Sequence, residues 1–163
     1  MPFESTPLRL WKSLPRAERE QAARAFWEQP PKEAAPAAAR EIVKLLRVRP
    51  QAFGKIPLES RVRALAGLAH PPDAVAEALV VALHLGPRRP LLADFLDQLG
   101  TAHEEGLIAE DAEVSSPDEA KVRAAVATLR ERHDASAIRV YWNALWLQDP
   151  ERWKALETVA AEL

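Results

Sequence analysis

The chain has 163 residues, a mass of 18.1 kDa and a net charge of −2, with 48% apolar and 28% charged residues, an ordinary globular balance that excludes a disordered ground state. Its 31 Ala and 21 Leu against 4 Ile, 11 Val, 4 Thr and 1 Tyr exclude a sheet-based fold. Without cysteine there is no disulfide, no thiol nucleophile and no thiolate-held metal or cluster.

The opening Met1-Pro2-Phe3-Glu4-Ser5-Thr6-Pro7 has no basic region followed by an apolar run, so no secretory signal is expected there. Most of the fourteen prolines sit where helices begin, and proline is accepted in a first turn because its missing N–H has no partner there. Ser13-Leu14-Pro15 opens a helix that ends near Glu28, with Leu14, Ala22, Ala25 and Phe26 inward, and Pro30-Pro31 stops it. Pro36 leads into Ile42, Val43, Leu45 and Leu46 and a helix ending before Pro50. Pro57 opens the next, through Val62, Leu65 and Leu68, which Pro71-Pro72 ends. Asp73 is expected to cap a segment over 74–85 that is apolar almost all round, the pattern of a buried central helix. That segment holds Glu77 and His84 and is too short to cross a bilayer, so no membrane span is expected and the chain reads as soluble and cytoplasmic. Gly86-Pro87 ends it, and Leu91, Leu92, Phe95, Leu96 and Leu99 share one face of a further helix before Gly100.

Residues 101–115 have no helical period and read as one long acidic loop, with Gly106-Leu107-Ile108 tucking two apolar residues back onto the fold. Ser116-Pro117-Asp118-Glu119 has the form of a capping box, with Ser116 as N-cap of a helix over 117–133. A helix over 136–148 places Ile138, Trp142, Leu145 and Trp146 on one face. Asp149-Pro150-Glu151 starts the last, whose stripe is Trp153, Leu156, Ala160 and Leu163. These two are expected to pack as an antiparallel hairpin, with Trp142 and Trp146 in the core and Trp153 across from them. The whole is expected to be a single all-α domain over 1–163, with eight to nine helices in antiparallel hairpins.

A shift of 42 residues places Leu14-Pro15 on Ile56-Pro57, Arg19 on Arg61, Ala22 on Ala64, Phe26 on Leu68 and Pro30 on Pro72. Helix-pair repeats near 14–50 and 56–99 follow. In period and plan they resemble HEAT-type repeats, an α-α superhelix of roughly 40–47-residue units. A compact multi-helical bundle without repeats is the alternative.

Charge is distributed unevenly. Residues 1–63 carry 13 Lys/Arg and 7 Asp/Glu, whereas 94–119 carry nine acids and no base. That polarity can steer a charged partner or pair neighbouring molecules end to end. Asp94 and Asp97, three apart on one helix side, with His103 and Glu104 beyond Gly100, are the candidate ligands for Mg²⁺, Mn²⁺ or Zn²⁺, although the spacing matches no known ligand motif. The competing expectation is that the aspartates face water or pair with Arg88 or Arg89. His70, His84 and His133 read as residues of helix ends. The serines at 5, 13, 60, 115, 116 and 136 read as caps rather than nucleophiles, and no glycine-rich phosphate loop exists. Arg40, Lys44, Arg47 and Arg49, with Lys55, Arg61 and Arg63 nearby, are the candidate nucleic-acid stripe, set against the acidic segment and a pI of 6.1. With no catalytic motif and no implied cofactor, the leading expectation is a protein-interaction or scaffold module. A metal-dependent enzyme or regulator using 94–105, and nucleic-acid binding through 40–63, are the alternatives.

Overall fold

The computed structural model describes residues 3–163; Met1 and Pro2, part of the opening segment expected to lack a secretory signal, lie outside the described residues. Nine α-helices, one 3-10 helix and a two-stranded ribbon occur among them, so the chain is all-α as its composition requires. None of these helices is long and apolar enough to cross a membrane. The chain divides into two compact units, residues 7–87 and residues 3–6 together with 88–163.

The 7–87 unit contains α1 (Pro7–Ser13), α2 (Arg16–Glu28), α3 (Ala35–Leu46), a 3-10 helix (Pro50–Lys55), α4 (Leu58–Ala66) and α5 (Asp73–Leu85). α1 is a helix that the sequence pattern does not announce; it buries Leu10 and Trp11. Pro15, Pro57 and Pro72 stand just outside α2, α4 and α5, one position earlier than a first-turn placement. All three have φ between −57° and −53° and ψ between 147° and 152°. Their carbonyls accept the first helical bonds, from the N–H groups of Arg19, Arg61 and Ala76 at 3.0, 3.0 and 2.9 Å. A proline offers no side-chain cap, and first-turn acids stand in for one: Glu18, Glu59 and Asp73 sit at the positive helix ends. Asp73 is thus the first residue of α5 rather than its cap.

Alanine is what lets this unit pack. Ala22 and Ala23 of α2, Ala64 and Ala66 of α4, and Ala76 of α5 are buried, and α2 lies against both α4 and α5. Small residues at such contacts allow close interaxial approach. Ala25, expected inward, is only half-buried. α5 also packs on α1, but it is not dry all round, because Glu77 and Val81 reach solvent. Arg24 of α2 donates to both carboxylate oxygens of Glu59 on α4, at 2.7 and 2.8 Å. That hydrogen-bonded guanidinium holds the Glu59 carboxyl below its ordinary value.

The other unit contains α6 (Arg89–Leu99), β1 (His103–Glu104), β2 (Leu107–Ile108), α7 (Glu119–Leu129), α8 (Ala135–Gln148) and α9 (Lys154–Ala160). All five apolar residues expected inward on α6 are buried. Phe95 is the hub: its ring meets Tyr141 edge-on at 5.7 Å, Trp142 at 5.6 Å and Trp153 at 6.4 Å. Burial pushes the Tyr141 phenol well above its usual range. Trp142 and Trp153 are core as expected, but Trp146 is half-buried and packs on Phe3 at 6.0 Å. α8 and α9 pack together. Buried Asn143 fixes the N-terminal residues to α8, accepting from Glu4 N–H at 2.7 Å and donating to Glu4 C=O at 3.0 Å.

Three expected helix starts move. Asp118, not Ser116, caps α7, because its carboxylate reaches the Lys121 N–H at 2.7 Å and the helix begins at Glu119. Asp149 accepts from the Arg152 N–H at 3.1 Å, which makes a turn, and regular helix begins only at Lys154. Ser13 closes α1 rather than opening α2, its hydroxyl donating to Leu10 C=O at 2.7 Å. On α7, Arg123 donates to Glu119 and to Glu162, and the bond from Arg123 holds the Glu162 carboxyl below its ordinary value.

Two predictions follow from this packing. Trp142→Ala should lose about 3–5 kcal/mol in urea unfolding, and Trp146→Ala visibly less; equal losses would contradict the burial difference. Glu59 and Glu162 bind protons less readily folded than unfolded, so their stabilisation is present above the ordinary carboxylate range and fades as pH falls through it. A Glu59→Gln/Glu162→Gln variant should therefore show a flatter fall in Tm than wild type between about pH 5 and about pH 3.

Candidate functional site

Two surfaces carry the candidate residues, one in each unit. The acidic one is built on α6. Asp94 and Asp97 are one turn apart, but each is claimed by a different partner. Asp94 Oδ2 lies 2.6 Å from His133 Nε2, and its Oδ1 accepts from Arg132 at 2.9 Å. Asp97 Oδ1 lies 2.8 Å from His103 Nε2. Neither aspartate pairs with Arg88 or Arg89; Arg89 donates to Glu105 at 3.1 Å. Between α6 and α7 lies a cleft of about 210 Å³ lined by Asp94, Asp97, Gln98, Thr128, Leu129 and Arg132.

His103 has both ring nitrogens engaged. Its Nδ1 accepts the Gly106 N–H at 3.1 Å, which requires the proton on Nε2, and Nε2–H donates to Asp97. The ring therefore closes the ribbon onto α6 and has no lone pair left for a cation. Residues 101–115 are accordingly not all loop. β1 and β2 pair antiparallel, His103 opposite Ile108 and Glu104 opposite Leu107, around a two-residue turn. Both turn residues, Glu105 at φ 48° and Gly106 at φ 89°, are left-handed, as a type I′ turn demands. A Cβ on Gly106 would come within 2.8 Å of Leu92 Cβ and 3.2 Å of Arg89 O, so the ribbon touches α6 through a position that only glycine fits. Gly106 is thus the buried residue, while Leu107 is 44% exposed rather than tucked in and Ile108 is half-buried. Glu104 is exposed. No three His, Asp or Glu side chains among the described residues converge as a metal set.

The basic surface is the C-terminal part of α3. Ala38 and Ile42 bury the inner stripe, and Leu45 and Leu46, three and four residues past Ile42, continue it by helical geometry. They are nonetheless 53% and 40% exposed. Arg40, Lys44 and Arg47 share the opposite side, and Arg49 follows. Lys44 pairs with Glu41 at 3.0 Å; Arg40, Arg47 and Arg49 make no ion pair among the described residues. α3 ends as α6 does, with paired bonds Arg47 N–H to Lys44 C=O and Val48 N–H to Val43 C=O. At α6 the left-handed position of this motif is Gly100, at φ 67°; at α3 it is Arg47, at φ 53°. Such a conformation costs a side-chain-bearing residue roughly 1–2 kcal/mol. Arg61, by contrast, is committed to the fold. It donates to Ile56 C=O and Gly54 C=O, and its guanidinium lies 4.6 Å from the Phe53 ring centre.

Comparison with known protein families, with curated proteins and with solved structures finds no match to this chain. The two surfaces therefore stand on their own chemistry. His70 accepts at Nδ1 from Lys12 Nζ at 2.9 Å, and buried His84 donates from Nδ1 to Val80 C=O at 2.8 Å. Sequence spacing does not reveal His133 and Arg132 as partners of Asp94, since they lie 39 and 38 positions away. Nor does it reveal the exposure of Leu45, Leu46 and Leu107.

Gly106→Ala should destabilise the second unit by roughly 1–3 kcal/mol, through the left-handed φ together with the clash on Leu92. Gly100→Ala, with open space around its Cβ, should lose only the backbone part. Hydrogen exchange at the amides of 103–108 should accelerate in the first variant alone; equal exchange in both would refute the close approach.

Proposed function

We propose that the chain is a protein-interaction module, cytoplasmic and HEAT-like in plan, whose docking surface is the end of α3. The observation that carries this is the exposure of Leu45 and Leu46 at a helix end whose other side holds Arg40, Lys44 and Arg47, with Arg49 following. Exposed apolar area rimmed by one sign of charge favours a partner that is apolar and oppositely charged, here an acidic protein segment carrying leucine-like side chains. Arg47 adds to it, since a strained left-handed residue at a helix end is retained where its side chain serves something other than stability. In support of the HEAT-like plan, α2 and α4 pack together and start at prolines 42 residues apart with the same backbone geometry.

The test is fluorescence anisotropy with a labelled peptide carrying leucines among glutamates, at about 0.15 M salt. Lys44→Glu and Leu45→Glu should each weaken binding about tenfold or more, with circular dichroism unchanged. Arg47→Gly should raise Tm while weakening binding, because it relieves the strained turn and removes a charge. Peptide affinity indifferent to all three variants would overturn the reading. Duplex DNA that displaces the peptide at the same salt would transfer the surface to nucleic acid.

A further inference from the structure

We infer that the segment docking on the α3 end is the acidic 104–113 stretch of a second copy of this chain, so that copies associate head to tail. The inference rests on the interaction reading above and names its partner. Leu107 is one of five large apolar residues exposed among those described, and two of the others are Leu45 and Leu46. Around Leu107 the chain supplies only acids: Glu104, Glu105, Glu110, Asp111 and Glu113. Of these, Glu105 is paired with Arg89, and the other four make no ion pair among the described residues. On the other side of the helix end that carries Leu45 and Leu46 stand Arg40, Lys44 and Arg47, with Arg49 following, and of these only Lys44 is paired, with Glu41. Each of the two segments thus carries exposed leucine and uncompensated charge, and the two charges are opposite. Bringing them together removes both apolar areas from water and neutralises both charge runs.

Two features make the contact well defined and directional. The ribbon is held rigidly, by Gly106 on α6 and by the doubly engaged His103, so Leu107 is presented from a fixed turn rather than a flexible tail. The surfaces are also different from each other, so the contact is heterologous: each copy keeps one donor and one acceptor face, and association continues until a ring closes or a chain grows.

Sedimentation equilibrium of the full chain, up to about 1 mM, tests this. At about 0.01 M salt the screening length is about 30 Å and the mass should rise with concentration; at about 1 M, where it is about 3 Å, the mass should return to 18.1 kDa. Lys44→Ala/Leu45→Ala/Arg47→Ala breaks one face and Glu110→Ala/Asp111→Ala/Glu113→Ala breaks the other, and each variant alone should be monomeric. Mixed, each supplies the face the other lacks, and the mass should stop at a one-to-one dimer. Variants that still associate alone, or a mixture that stays monomeric, would exclude the head-to-tail contact. A wild type monomeric at every salt that still binds the glutamate–leucine peptide overturns this inference and leaves the interaction module standing. Loss of both overturns both.

Discussion

Proline sets where this chain can begin to coil, and much else adjusts to that. Pro15, Pro57 and Pro72 adopt one extended backbone geometry just ahead of α2, α4 and α5, and each gives its carbonyl to the first turn. A proline at that position brings no side-chain acceptor, so the unsatisfied N–H groups of the first turn stay polarised. The chain answers with carboxylates inside the helix rather than hydroxyls before it. Glu59 then does two things at once, facing a helix end and receiving the fork of Arg24 from α2. A helix start and a helix–helix contact are in this way fastened by one residue.

The acidic and basic surfaces show how the same kind of charge acquires different roles through its neighbours. On α6, Asp94 and Asp97 are consumed by His133, Arg132 and His103, and what remains between α6 and α7 is a small cleft. In and beyond the ribbon, the acids at 104, 110, 111 and 113 make no ion pair among the described residues. On α3 the charges matter because the apolar stripe outlasts its cover at Leu45 and Leu46.

Much of this was legible in the residues. The inner face of α6 needed only the three-and-four spacing of Leu91, Leu92, Phe95, Leu96 and Leu99, because a buried stripe has a local period. Trp142 and Trp153 followed the same rule. What escaped has physical reasons. Leu45 and Leu46 obey the inward spacing, but spacing cannot say where the neighbouring helices end. The ribbon was hidden because its turn is Glu-Gly rather than Asn-Gly, with Arg89 on Glu105 and His103 on Gly106 supplying the stabilisation that turn propensity lacks. α1 is seven residues long, too short for a period to register. Asp94 meets His133 only through packing of α6 on α7, a relation that no local pattern encodes.

The tryptophans have an optical consequence. Trp11 in the 7–87 unit and Trp142 in the other are both fully sealed from solvent, and the indole Nε1–H of each finds no acceptor among the described residues. An excited indole shifts its emission to the red only as far as surrounding dipoles can reorient about it. These two rings have water excluded and no polar partner at the nitrogen, so both emit toward the blue limit, and either turns red when its own unit opens. Trp27 is also buried in the 7–87 unit and Trp153 in the other, so a unit is read by itself only in a variant whose tryptophans are kept in that unit alone. Each half thus carries its own sealed indoles, whose emission reddens when that half opens.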